Sequence, residues 1–454
     1  MNRTTSRRWR TVLGISLPLA VVLAGCATVE DLPDEAATAG VELDADLVAA
    51  AEAKAGEIAE GLDLEGVEIE VIGQNNGTEG AITEATYAPF AAATGAEISY
   101  TGTADQTIAA SRVQAGNPPS IAVVQAGDMY KYADQGLLVN LSDYMQDELE
   151  GSFSESILAT ATVDDGVYGV YQGFSPFMLW YNPEAYTGPT AGASLDDFAA
   201  WTAENATAGT PTWCAGQEAG GSSGFPAAQM IETLFAKKYG PDLLREWGTG
   251  ELSWTSPEVR DAFAMFSSLI SDQSVAGGMQ GALSSPISSG YDGLVTEPVG
   301  CQAAIWGSWT AGLIESSAGG VEPGVNLDFM PVPAANAEYA DVEIFQAAIT
   351  VAFDDSDATK AFMQYLASDE AQELLASADH WNVADVNVSS SAYSSPMLVK
   401  AQETFFTDDV VLASGPNVLA TQSVLAEFWS GAVAYMEDPS QLDAILSGID
   451  ALAS

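Results

Sequence analysis

The side chains in this chain best placed to do chemistry are polar amides that follow short alternating strands, and the chemistry they offer is recognition by hydrogen bonding. Gln74, Asn75 and Asn76 sit in a Gly-bounded loop after the alternating run 67–72 (VEIEVI). Gln125 and Asp128 follow the apolar run 121–124. An amide supplies a donor and an acceptor, and a carboxylate accepts, so such loops suit a ligand rich in hydroxyl groups. The competing reading gives these side chains to the helices behind them as N-terminal caps. Covalent chemistry has weaker support. His380 is the only histidine, no HExxH or P-loop occurs, and no Gly-x-Ser-x-Gly elbow is expected. With 63 Asp and Glu, no carboxylate pair singles itself out for glycoside hydrolysis. No cysteine lies near His380, so no zinc pattern exists; neither a metal nor a cofactor is expected.

Several elements must hold those loops. At 454 residues the chain exceeds one ordinary core, and 47% apolar content is ample for burial. Arg3, Arg7, Arg8 and Arg10 precede a short apolar run at 11–23, and Leu23-Ala24-Gly25-Cys26 closes it. This is the pattern of an export signal too short to span a bilayer. Without it, nine Lys and Arg (13 less those four arginines) face 63 acidic residues, a formal charge near −54. That field argues against nucleic acid, anionic lipid and anionic ligands, and fits a solvated surface or cationic partners. Cys214 and Cys301 remain once Cys26 is set aside, and two cysteines in an exported chain suggest a disulfide.

Strands at 67–72, 97–101 and 121–124 alternate with helices at 78–93 and 105–115, which indicates a mainly parallel, doubly wound α/β sheet. Ligands of such sheets bind beyond the carboxyl ends of strands, where the amide loops lie. The stretch 166–182 (GVYGVYQGFSPFMLWYN) reads as two buried strands around a kink at Gln172-Gly173-Phe174-Ser175, where the chain leaves one lobe for another. Residues 172–175 can look into the cleft so formed, whereas Trp180 lies deep in the second strand. Strands are expected at 301–306 and 326–332, an irregular strand at 380–388, and helices at 227–238, 256–269, 356–367, 369–377, 420–436 and 440–452. Residues 28–40 read as a flexible tether, followed by helical spacing at 43–62.

The ordered markers Ala115-Gly116-Asn117-Pro118-Pro119, Gly169-Val170-Tyr171 with Trp180-Tyr181-Asn182-Pro183, Thr212-Trp213-Cys214, Gly300-Cys301 and Phe428-Trp429 resemble the solute-binding lipoproteins of bacterial ATP-binding-cassette sugar importers. Within them the chain is most similar to the alpha-glucoside-binding branch of the family related to maltose-binding protein. The resemblance implies a two-lobed fold with three hinge crossings, near Gln172, Pro331 and Trp381. The implied parts are a signal peptide at 1–25, an acidic tether at 26–64, lobe one from 65–173 with 333–380, and lobe two from 174–332 with 381–454. It implies lipidation of Cys26, a disulfide between Cys214 and Cys301, a monomer anchored to the outer face of the cytoplasmic membrane, and delivery of a carbohydrate to permease subunits. Trp309 aligns with the family's stacking tryptophan. Trp306, Phe174, Phe225, Gln346 and Trp381 fall near the cleft, while Trp429 reads as core and Trp213 as packing over the disulfide. The chain departs from its relatives at Ser175-Pro176, where they often carry lysine, at Phe225-Pro226 for Trp-Pro and at Gln346-Ala347 for Gly-Gly. The rival ligand is a cationic or zwitterionic solute such as a polyamine, held by aromatic faces and carboxylates.

Overall fold

The alternating run after residue 67 forms strand β1 (Glu68–Gly73), which pairs in parallel with β2 (Glu97–Gly102) and with β3 (Ile121–Val124). The computed structural model describes residues 41, 43–103, 107–407 and 409–453. The expected signal peptide, Cys26 and the stretch up to residue 40 lie outside the described residues. Helix α1 (Ala45–Ile58) starts where Asp44 accepts hydrogen bonds from the backbone of Asp46 and Leu47. It buries Ala51 and Ala55 in the first core, so this part of the expected tether is a packed helix. The loop after β1 opens α2 (Gly77–Thr94), and the loop after β3 opens α3 (Ala126–Asp134).

Beyond β3 the sheet gains β4 (Val170–Tyr171) and β9 (Ile349–Ala352), in the order β2-β1-β3-β9-β4. Strand β9 is antiparallel to both of its neighbours, so the sheet is parallel only in its first three strands. The second sheet is built on β5 (Ser175–Tyr181), antiparallel to β6 (Ala303–Gly307), β7 (Asp328–Met330) and β8 (Val342–Gln346). Strand β10 (Val411–Ala413) closes its other edge in parallel with β8. Helices cover both sheets, among them α4 (Phe225–Thr249, kinked at Gly240-Pro241), α5 (Thr310–Ser317), α6 (Pro396–Phe405) and α7 (Gln422–Glu437). No described helix is long and apolar enough to cross a membrane.

Each sheet has its own apolar core, and the chain passes between them more than once. The first passage is where the sequence places it: β4 belongs to one sheet, β5 to the other, and residues 172–174 join them. The second is a correction. It was expected near Pro331, but β7 and β8 both stay in the second sheet, and the switch falls at Ala347-Ala348 between β8 and β9. Val342 and Ile344 pack in the second core, while Phe345 and Ala347 pack in the first. The expected strand at 380–388 is present only as two isolated bridges, Phe174 to Asn382 and Phe153 to Asp385. Its last residues stay on the first sheet's side, and α6 enters the second core.

Three carboxyls lie within these cores. Glu343 is bound to Lys237 Nζ at 2.7 Å, and Glu232 accepts from the backbone of Gly415 and Asn417 and from Asn417 Nδ2. Burial, the dominant cause, pushes Glu232, Glu343 and Asp385 each up to about 7. A carboxyl whose folded pKa exceeds its unfolded value favours the native state below the unfolded pKa, and that contribution is lost as pH rises through the folded one. Stability to denaturant is therefore expected to rise between pH 8 and pH 5, by on the order of several kcal/mol if all three contribute. Urea midpoints across that window test this, and a flat or falling trend would contradict it.

Candidate functional site

A cleft of about 420 Å³ opens where residues from both sheets converge. Gln74 and Asn75 reach it from the end of β1, Gln125 from the end of β3, Phe225 from the start of α4 and Trp309 from the turn after β6. The first two passages line it, with Gln172, Gly173 and Ser175 from one and Gln346 and Ala347 from the other, and Trp381 reaches it from the segment ahead of the third. A second chamber of about 550 Å³ shares Gln74, Gln125, Phe225 and Gln346 with the first, so the two are continuous. Asp128, Asn417, Gln422 and Trp429 complete this outer chamber.

The capping alternative for the amide loops is not what the structure holds. Asn76 and Gln125 occupy N-cap positions without a side-chain cap bond, and Asn75 Nδ2 instead donates to Thr83 Oγ1 at 3.1 Å. The buried Oε1 atoms of Gln125 and Gln346 have no hydrogen-bond partner among the described residues. A buried amide oxygen left unpaired is costly, and a donor from a bound molecule relieves it. Gln172 Oε1 is already occupied, accepting from Tyr87 OH and Thr350 Oγ1, each at 3.1 Å. Tyr100 OH donates to Asn75 O at 2.8 Å and fixes the loop after β1.

Two glycines set the aromatic surfaces. A Cβ on Gly307 would stand 2.5 Å from the Trp309 ring, which folds back over the end of β6. A Cβ on Gly173 would stand 3.0 Å from Trp381, which lies against the first passage. Trp309 is backed by Phe177 and Trp306, with ring centroids 5.5 and 5.2 Å away, and Phe225 lies 6.4 Å off at an interplanar angle of 26°. Phe225 also meets Trp429 edge-on at 5.6 Å, so half-exposed aromatic rings run from the inner chamber to the outer.

Not every expected residue reaches the cleft. Trp306 is only 1% exposed and stacks on Tyr291 in the second core, because a residue inside β6 faces the packed side. Phe174 is fully buried between Tyr171 and Phe345, at 5.0 and 4.8 Å, so it anchors the first passage. Asn76 points away, exposed, with Nδ2 donating to Gln74 O at 3.4 Å. Asp128 lines only the outer chamber; burial, partly opposed by Lys131, raises its pKa. Trp180 is core as expected. Trp429, read as core from its apolar helical stripe, lines the outer chamber because its Nε1 donates to Asn417 Oδ1 at 2.8 Å. Asn417 in turn donates to buried Glu232, so the indole is held by a fixed relay.

Few of the described residues that line the cleft are charged, although the protein is strongly acidic. Among the described residues, Glu79, Asp128 and Lys131 are the charged ones lining the two chambers, and Glu79 lies 3.1 Å from His380 Nε2. Residues Gly220-Gly221-Ser222-Ser223-Gly224 do spell Gly-x-Ser-x-Gly, against expectation. They form a 3-10 turn (Gly220–Ser222) ahead of α4, with Ser223 Oγ donating to Gly220 O, not a strand-to-helix elbow.

Two α/β lobes that share several passages and close on an aromatic, amide-lined cleft are the architecture of a two-lobed solute receptor. The chain belongs to the bacterial extracellular solute-binding proteins, whose family model matches residues 75–373. It is accordingly an exported solute-binding protein. Among similar proteins, the osmoprotective compounds-binding protein GgtB of Synechocystis sp. is 25% identical over 81% of this chain and 88% of its own. The alpha-glucosides-binding periplasmic protein AglE of Rhizobium meliloti is 25% identical over 85% of this chain and 87% of its own. Of solved structures, the bacterial solute receptor AcbH covers 85% of this chain and 98% of its own, with TM-score 0.71 and 18% identity. A chitin oligosaccharide binding protein covers 86% and 98%, with TM-score 0.69 and 18% identity.

Proposed function

We propose that this protein captures a neutral carbohydrate, an alpha-glucoside or another di- or oligosaccharide, and delivers it to the permease of an ATP-binding-cassette importer without altering it. The observation that carries this reading is the lining: half-exposed aromatic faces interleaved with amides, two of them with buried unpaired oxygens, and little charge. Sugars present apolar ring faces and many hydroxyls to such a surface. The names of AglE and of the chitin oligosaccharide binding protein agree with it. A polyamine would call for carboxylates in the cleft, and those among the described residues are Glu79, beside His380, and Asp128, near Lys131. Membership of a solute-binding family favours binding over catalysis.

Residues 74, 75, 125, 225, 309, 346, 381 and 429 are assigned as the contact set, with 65–173 and 348–380 forming most of one lobe. The ligand meets one lobe and the other closes over it, so differential affinity stabilises the closed form. The mature chain is assigned as a monomer, tethered by lipid on Cys26 to the outer face of the cytoplasmic membrane. In a thermal-shift titration, alpha-linked disaccharides are expected to raise Tm with an affinity that barely changes with added salt, and chromatography should recover the sugar intact. A shift by spermidine alone, weakening with salt, would overturn the carbohydrate reading, and sugar turnover would overturn the receptor reading.

A further inference from the structure

Trp429 lines the outer chamber at the end of a run of hydrogen bonds that starts inside α4. Phe225 and Glu232 lie two turns apart on one face of that helix. The first lines both chambers, and the second is fully buried. Glu232 Oε1 accepts from Gly415 N at 2.9 Å, and Oε2 accepts from Asn417 N at 2.8 Å and Asn417 Nδ2 at 2.6 Å. A Cβ on Gly415 would stand 2.9 Å from Oε1, so a glycine there lets the carboxylate approach. The turn that carries Asn417 (Pro416–Leu419) is pinned from the other lobe as well. Val418 and Leu419 pack in the first core, and Gly127 of α3 leaves no room for a Cβ against Leu419 O.

The directions of these bonds follow from the chemistry of their members. An ionised carboxylate only accepts, so Asn417 turns its Nδ2 to Glu232 and its Oδ1 outward. An indole N–H only donates, and Trp429 Nε1 meets that Oδ1 at 2.8 Å. Asn417 is itself 1% exposed, so it serves the indole and not a ligand. Burying a carboxylate is a costly way to hold a turn. What it supplies beyond a neutral acceptor is a fixed sense for the amide in front of it, and hence one orientation for the indole.

We propose that Glu232 and Asn417 are positioning residues that set the sugar length this receptor prefers, by holding Trp429 as a ready platform for a ring in the outer chamber. The inference rests on the carbohydrate reading of the cleft. Trp309 lines the inner chamber and not the outer, and Trp429 the outer and not the inner. A single ring seated on Trp309 therefore makes no use of the relay. A longer sugar that extends into the outer chamber meets an indole already fixed in place, so little freedom is lost on binding.

Calorimetry with methyl alpha-glucoside and maltotriose tests this at pH 8, above the value of about 7 to which burial raises Glu232. The wild type is expected to bind the trisaccharide roughly tenfold tighter or more. Asn417→Leu leaves the carboxylate its two backbone donors and cuts only the link to the indole. It should lower maltotriose affinity by roughly fivefold or more and change the single-ring affinity by less than about twofold. Glu232→Gln should act in the same direction, because its NH2 meets a donor whichever way it turns. In a Trp429→Phe background neither substitution should shift maltotriose affinity beyond about twofold, since a phenyl ring has no N–H to hold. A merely structural role would cost as much there as in the wild type. The sugar-free protein gives a second readout. The indole N–H resonance of Trp429, identified by its absence from Trp429→Phe, should move upfield in Asn417→Leu. An unmoved resonance, equal losses for both sugars, or an undiminished loss in the Trp429→Phe background would overturn the assignment. If Asn417→Leu fails to fold, Glu232→Gln decides by the same three measures. A wild type that binds both sugars alike would overturn the length preference and leave the carbohydrate reading standing. One that binds neither would remove that reading, and this inference with it.

Discussion

Replacing Trp309 with alanine is expected to weaken sugar binding by about 1–3 kcal/mol, scaled from the aromatic surface that the ligand no longer covers. In affinity that is a loss of roughly tenfold to a hundredfold. The reason for choosing Trp309 over its neighbours is positional. It is half-exposed in the inner chamber, whereas Trp306 behind it is shielded from any ligand. Its ring rests on Phe177 and Trp306 and over Gly307, so its orientation is set before ligand arrives and little freedom is lost on binding. Truncation leaves those supports in place, so the thermal midpoint without sugar should change little. Calorimetry with the sugar that best stabilises the wild type is the measurement. Unchanged affinity would remove Trp309 from the contact set and leave Trp381 and Trp429 as the remaining platforms.

How far the sequence announces this site depends on which force fixes each residue. The loops after β1 and β3 were readable because strand alternation and Gly-bounded turns are local signals, and the carboxyl-end rule then selects Gln74, Asn75 and Gln125. The first passage was readable for the same reason, with Gln172-Gly173 breaking two apolar runs. The second was not. Pro331 and Pro333 look like an interruption, but the lobe changes at Ala347-Ala348, within an apolar run that gives no local sign of it. Strand β8 was also hidden, since its Glu343 looks exposed in sequence and is buried only because Lys237, 106 positions away, meets it. The two misplaced tryptophans have the same origin. Trp306 and Trp309 differ by three positions, and which one faces the cleft is decided by where β6 ends. Trp429 sits in a helical apolar stripe, yet a hydrogen bond to Asn417 turns its edge toward the cleft rim. Local pattern thus specified elements and loops, while long-range pairing decided which face each aromatic side chain presents.

Removing the bond between Cys214 and Cys301 is expected to cost the most stability of any change considered. The two cysteines are joined with Cα atoms 5.5 Å apart and 87 positions between them in sequence. On the loop-entropy model, closing a loop of that length stabilises by about 4–5 kcal/mol, because the unfolded chain loses freedom that the native chain has already given up. Cys214 N donates to Ala303 O at 2.8 Å, so the bond lies beside a backbone link to β6, and Gly293 packs against both sulfurs, where a Cβ would stand about 3 Å from each. The same strand carries Gly307 at its far end, and Trp180 Nε1 donates to the carbonyls of Trp306 and Gly307 there, each at 3.2 Å. The bond therefore anchors one end of the strand whose other end supports Trp309. The double variant Cys214→Ser, Cys301→Ser should unfold at a lower urea midpoint, and a reducing agent should reproduce the shift in the wild type but add nothing to the variant. Below its unfolding transition the variant should still bind sugar within a fewfold of wild type, since Trp180 and β5 hold the far end of β6 independently. An unchanged midpoint would show that the packing of Trp213 and β6 suffices without the bond. A collapse of binding in a variant that remains folded would instead make the disulfide part of the site's support.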